Sequence, residues 1–183
     1  MNRYHIVTER LDLRPITWAD ADRLAVLHAD ARMMSLLKHG PLSRADSDAL
    51  VADYEAEWRA LGFGSWTASE RASRRLVGLG GLRIHEGDYG VALRGAFTPD
   101  SQGKGYGSEL GRAALAFAFD VVGLDRVVAI TRPDNTAGQR SLEKFGMRRD
   151  REIKRADGRT LLLYVAFNPK SGRMNHNGRT TQM

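Results

Sequence analysis

Gln102-Gly103-Lys104-Gly105-Tyr106-Gly107 places three glycines at alternate positions between an apolar stretch ending at Phe97 and a helical pattern that begins near Leu110. A helix start offers free backbone N–H groups and the positive end of the macrodipole, and phosphate oxygens bind there. Glycines remove the Cβ atoms that would hold a phosphate away from those amides. The chemistry suggested is the cradling of a pyrophosphate. Two standard phosphate motifs fail on spacing. A Walker A loop needs a glycine five residues before Gly103, where Thr98 stands. The dinucleotide fingerprint would need glycine at Ser108 or at Leu110. The pattern that remains is Q-x-x-G-x-G at a strand-to-helix junction.

Residues 3–16 alternate as a strand through Ile6, Leu11 and Leu13 to Pro15. Thr17 with Asp20, and Ser43 with Asp46, are helix-start signals, and Gly62 is a helix stop. Ser65–Ser69, Leu76–Ile84 and Tyr89–Thr98 read as an antiparallel meander. A long helix follows the glycine loop through Leu110, Ala114, Phe117 and Val121. Arg126–Thr131 is a buried strand, Thr136–Phe145 a short helix ending at Gly146, and Arg148–Lys154 with Arg159–Phe167 a hairpin around Asp157-Gly158. The fold expected is α/β of the α+β type: a central mixed, mostly antiparallel sheet with helices on both faces. Residues 1–167 are expected to form a single domain, and 168–183 a disordered basic tail.

With those elements in place, the glycine loop resembles the acyl-CoA signature of the GNAT N-acetyltransferase superfamily. Asp134-Asn135, then Gly138, and Leu142-Glu143-Lys144-Phe145-Gly146-Met147 resemble that family's second block. Thr8-Glu9-Arg10-Leu11-Asp12-Leu13-Arg14 is similar to the start of its RimJ/RimL-like branch, which acetylates protein N-termini and other amines. The resemblance spans roughly residues 6–167. It implies the GNAT fold, acetyl-CoA as co-substrate and an amine acceptor. Gln102, Gly103, Lys104, Gly105, Tyr106 and Gly107 match the pyrophosphate loop, and Phe97 and Thr98 the strand end that pairs with the pantetheine arm. Asn135 matches the residue bonded to that arm near the thioester. Arg140 and Lys144 are candidates for the adenosine phosphates.

The implied reaction is direct attack of a neutral amine on the acetyl-CoA carbonyl, which needs an oxyanion donor, a base and, for the thiolate, an acid. Here the chain departs from the pattern. Relatives often carry a tyrosine acid where Leu142 stands and a glutamate on the strand that here reads Ala92 to Gly95. Ser141 is the candidate acid, and Glu86 and Asp88, with His85, the candidate bases. An α-amine titrates near 7.7–8.0 and lysine near 10.4, a gap of about 2.5 units or roughly 3.4 kcal/mol of deprotonation. Sparse bases therefore lean toward α-amines or small amines. The acceptor pocket is expected around Trp18, Met33, Met34, His39 and Trp58. The alternative is a non-catalytic acyl-CoA-binding regulatory domain.

Composition excludes other classes. The 183 residues are 42% hydrophobic and 27% charged, which is not a disordered chain. Cysteine is absent, so disulfides, thiol nucleophiles and Cys-ligated metals are out. Five scattered histidines make no H-E-x-x-H, and no metal is expected. No run approaches the ~18 apolar residues of a membrane span, and residues 1–10 lack a signal core. A cytoplasmic protein without membrane partners is expected, as a monomer or homodimer. The net charge is +6, but Lys170, Arg173 and Arg179 account for half of it. No basic stripe interleaved with aromatics appears, so nucleic acid is not an expected partner.

Overall fold

The computed structural model describes residues 4–34 and 40–171. Eight strands lie in one sheet in the order β1-β2-β3-β4-β5-β6-β8-β7. They are β1 (Ile6–Val7), β2 (Leu11–Pro15), β3 (Ser65–Glu70), β4 (Leu76–Ile84), β5 (Val91–Phe97), β6 (Arg126–Thr131), β7 (Arg148–Lys154) and β8 (Thr160–Phe167). The helices are α1 (Ala21–Ala29), α2 (Ala31–Met34), α3 (Arg44–Leu61), α4 (Tyr106–Phe117) and α5 (Thr136–Lys144). β1 to β5 and β6-β8-β7 are antiparallel; β5 and β6 run parallel, and α4 is the crossover that parallel neighbours require.

Local chemistry sets most boundaries. Ser43 Oγ accepts the Asp46 N–H at the start of α3, and α3 ends at Gly62 with φ +71°. Thr17 and Asp20 form the capping box expected of them, over a short 3₁₀ turn that leads into α1. The stretch read as one strand over 3–16 is instead a hairpin, β1 and β2. Its turn is fixed by Thr8, whose N–H donates to Leu11 O and whose Oγ1 pairs with the Leu11 backbone.

Two helix layers enclose the sheet. On one face Leu24, Leu27, Met33, Val51 and Tyr54 of α1 to α3 bury Leu79 and Ala96. On the other, Leu110, Ala114 and Phe117 of α4 pack on Leu11, Leu13, Trp66, Val127, Ala129 and Tyr164. Trp66 is fully buried, edge-on to Phe117 at 5.2 Å and to Trp58 at 5.0 Å. A third cluster, Ala92, Val128, Ile153, Leu163 and Val165, is built from strand residues alone. Residues 168–171, placed with the tail by the sequence, are tied to the body. Asn168 is buried, its N–H donates to Asp125 O, and its side-chain amide to Leu124 O at 3.1 Å. The rest of that tail lies outside the described residues.

Candidate functional site

β5 and β6 pair at a single rung, Ala92 with Val128, and then part toward their C-terminal ends. The antiparallel ladder on the other side of β5 fixes which backbone groups this exposes. Thr98 N donates to Val77 O and His85 N to Gly90 O, so even-numbered residues of β5 face β4. Leu93, Gly95 and Phe97 therefore turn their backbone groups toward β6; the Ala92–Val128 rung takes the Leu93 N–H, and the Leu93 C=O with the groups of Gly95 and Phe97 lies where β6 diverges. The result is a short open strand edge inside the sheet, and an extended chain can add to such an edge. Thr98, expected to contribute its backbone here, has its N–H engaged with Val77 O. Phe97 O already accepts from Gln102 Nε2 at 3.1 Å. Gly95, not singled out from the sequence, is the central residue of the edge.

The edge runs into the glycine loop. Thr98 O accepts from Ser101 N and Gln102 N, which turns the chain over Pro99. Gly103 and Gly105 take φ +74° and +84°, left-handed values that side chains with a Cβ rarely adopt. Gly105 is the N-cap of α4, and no side chain caps that helix. Its first-turn N–H groups are thus unclaimed by protein side chains, and residues 102–105 are exposed. Gly107 has a different reason. A Cβ there would meet Ser141 Oγ at 3.2 Å, so its bare Cα admits α5 rather than a phosphate.

A clamp behind the loop holds it in place. Glu109, in the first turn of α4 and 8% exposed, accepts from Thr8 Oγ1 at 2.5 Å, Arg10 N at 2.8 Å, Arg10 Nε at 2.8 Å and Arg10 Nη2 at 2.7 Å. Arg10 Nη1 donates to Lys104 O at 2.8 Å, and the guanidinium lies 5.0 Å over the Tyr106 ring. The Tyr106 hydroxyl donates to Glu70. Burial alone would raise the Glu109 carboxyl; hydrogen bonds from Thr8 and Arg10, with the Arg10 charge, outweigh it and hold the pKa below the usual carboxylate value. Tyr106 titrates above the ordinary phenol, chiefly through its bond to Glu70. Sequence reading missed this clamp. The one local signal was an acid adjoining the apolar stripe of α4.

The remaining sequence candidates fall in separate places. Ser141 Oγ lies 3.1 Å from Ser108 Oγ, so Ser141 meets the loop end of the edge. Asn135 is the N-cap of α5: its Oδ1 accepts from Gly138 N and its Nδ2 donates to Thr131 Oγ1, both at 3.0 Å. Gly138 is small because a Cβ there would strike the Asn135 amide at 2.4 Å. Arg140 and Lys144 are exposed on α5. Glu86 and Asp88 sit in the β4–β5 turn with His85, past the Ala92–Val128 rung. β5 alone spans about 20 Å from Val91 to Phe97 and the turn lies beyond it, so the structure does not bring them to Ser141. Of the expected pocket, Met33, Met34 and Trp58 are buried, and Trp58 Nε1 donates to Ser65 O at 2.7 Å; they are core. Trp18 is exposed, and His39 lies outside the described residues.

The cradle fits a pyrophosphate on three counts: an uncapped twelve-residue helix, two left-handed glycines before it, and an open edge leading to it. The family model of the acetyltransferase (GNAT) domain matches residues 10–148. The chain is 28% identical over 151 residues to YnaD of Bacillus subtilis (strain 168), an uncharacterized N-acetyltransferase, covering 82% of this chain and 86% of that protein. The crystal structure of a GNAT-family acetyltransferase from Bacillus anthracis matches with a TM-score of 0.76 at 24% identity, over 90% of this chain and 98% of that one. A spermidine N-acetyltransferase from Vibrio cholerae, solved with CoA and spermine, matches with a TM-score of 0.72 at 18% identity, over 88% and 97% of the two chains.

Proposed function

We propose, since the chain belongs to the GNAT acetyltransferase family and is thereby an acyltransferase, that it moves an acetyl group from acetyl-CoA to a primary amine, an α-amine or a small amine, in the manner of the RimJ/RimL-like branch. The observation that carries this reading is the parting of β5 from β6 after one rung, in line with an uncapped helix start.

Acetyl-CoA supplies the activated acetyl group. The first-turn N–H groups of Tyr106, Gly107 and Ser108, with Gly103 and Gly105 before them, would hold its pyrophosphate. The Phe97 N–H, the N–H and C=O of Gly95 and the Leu93 C=O would hold its arm as an added strand. From Phe97 to Leu93 the edge measures about 13 Å, which sets the reacting carbonyl near the closed end. The Gly95 N–H, the open donor nearest that end, would donate to the carbonyl oxygen as it gains charge. β5 carries no carboxylate, which suits an amine that is partly neutral near pH 7.7–8.0 without help. The opening Thr8 to Arg14 supports the RimJ/RimL-like assignment.

CoA release measured across a panel of amines tests the reading. An acceptor-dependent release, together with thermal stabilisation by acetyl-CoA, is expected. A ligand at about 100 times its Kd adds roughly 2.7 kcal/mol. Stabilisation by ATP or NAD and none by acetyl-CoA would overturn it.

A further inference from the structure

Arg94 is the one charged residue of β5, and it stands beside the open edge. It pairs with Gly81, which has no side chain, and shares a face of the sheet with Ala92 and Ala96. Ala96 belongs to the cluster covered by α1 to α3, whereas Ala92 belongs to the cluster built from strands alone. Arg94 thus stands at the seam where the helix layer ends. The opposite face of β5 and β6 is closed by α4. An acceptor reaching the closed end of the edge from the seam side passes this guanidinium.

The groups around it do not neutralise it. Arg83, its neighbour on β4, is paired through Nε and Nη2 with Glu57 at 2.6–2.9 Å and lies 4.8 Å over the Tyr54 ring. Glu57 is therefore engaged. Tyr54 is buried and Asp53 exposed on the same helix. No ion pair to Arg94 exists among the described residues, and the segments outside them contain no Asp or Glu. Arg94 is a partly buried residue with no carboxylate paired to it among the described residues, beside the like charge of Arg83, and a guanidinium so placed is stabilised by an anion.

We propose that the acceptor is a small primary amine that also carries a carboxylate or phosphate, and that Arg94 binds this anionic group while the amine meets the acetyl carbonyl. The inference rests on the acetyl-transfer reading above and deepens it to a substrate class. Polycationic amines, with no anion for Arg94 and a charge it repels, are poor acceptors under this assignment.

The test pairs acceptors that differ in the anion: glycine with glycinamide, and phosphoethanolamine with ethanolamine, with spermidine as a polycation. For each pair the ratio of kcat/KM, acidic over neutral, is measured in the wild type and in Arg94→Gln. Comparing ratios between enzymes cancels the different basicities of the amines. The ratio is expected to fall at least tenfold in Arg94→Gln and to be partly restored in Arg94→Lys. The larger fall identifies whether carboxylate or phosphate is the partner. Stabilisation of Arg94→Gln by acetyl-CoA confirms that this variant is folded. An unchanged ratio, or spermidine as the best acceptor, overturns the proposal. If no amine releases CoA, the acetyl-transfer reading fails on its own. Calorimetric binding of glycine and phosphoethanolamine to the CoA-loaded protein then decides: binding lost in Arg94→Gln supports the site, and binding absent or unaltered overturns it.

Discussion

Glu109→Gln removes the charge from the clamp behind the glycine loop and turns an amide NH2 toward the Arg10 guanidinium. The Gln oxygen can still accept from Thr8 Oγ1 and Arg10 N. The two bonds from Nε and Nη2, at 2.8 and 2.7 Å, are lost. A hydrogen bond to a charged group contributes about 1.5–3 kcal/mol. Arg10 is 43% exposed and recovers water, so the low end applies to each bond, about 3 kcal/mol in all. For a domain of this size that lowers Tm by roughly 6–12 °C. The loop also loses the anchor that holds Lys104 O, a single hydrogen bond of about 1.4 kcal/mol, so KM for acetyl-CoA is expected to rise about tenfold. Two effects oppose each other here. A negative charge in the first turn of α4 also repels phosphate, and its removal alone would lower KM. Steady-state kinetics at varied acetyl-CoA separate them. A raised KM with kcat at saturation changed less than threefold shows that positioning wins; a lowered KM would refute the clamp. Stability adds a second reading. The Glu109 pKa is depressed in the folded state, so its contribution is present above the unfolded value near 4.3 and lost as pH falls through the folded one. The Tm difference between wild type and variant should shrink as the pH is taken from 6 toward 3.

Gly105→Val forces a β-branched residue to φ +84° with its Cβ 3.3 Å from Arg10 Nη2, and thermal stabilisation by acetyl-CoA should vanish; full stabilisation would remove the loop from the site. His28 is fully buried with Nδ1 2.8 Å from Ser47 Oγ, and burial lowers its pKa. The unfolded chain then binds more protons, so stability is full above the unfolded value near 6.5 and falls as pH drops below it. Denaturant midpoints at pH 7.5 and 5.5 should differ in the wild type and converge in His28→Asn; parallel behaviour of the two proteins would exclude His28 as the cause.

What the sequence disclosed was chemistry confined to neighbours in the chain. The caps at Thr17 and Ser43, the stop at Gly62 and the Asp157-Gly158 turn depend on residues within one turn of each other, and all formed as expected. The glycine loop was legible for the same reason. The Arg10–Glu109 clamp joins residues 99 apart, and neither type is unusual where it stands. The parting of β5 and β6 depends on pairing across a crossover, which no window of residues encodes. Trp58 was misplaced as a pocket wall because periodicity reports the buried side of a helix and not what lies against it.

The acid-free strand and Arg94 bear on one question, the charge of the amine. A carboxylate on β5 would accept a proton, but before doing so it would stabilise the ammonium and raise its pKa. Arg94 does the reverse: a guanidinium held near the bound amine disfavours the ammonium and lowers its pKa, while its pairing with the acceptor's own anion cancels the group that raised that pKa in solution. One residue thereby selects the acceptor and shifts it toward the neutral form that attacks. The bound state is reported by kcat, not by kcat/KM. The acidic limb of the kcat profile with an anionic amine should therefore move to higher pH in Arg94→Gln. A limb that stays in place, or moves down, would separate the two roles and leave Arg94 as a binding residue without influence on the proton.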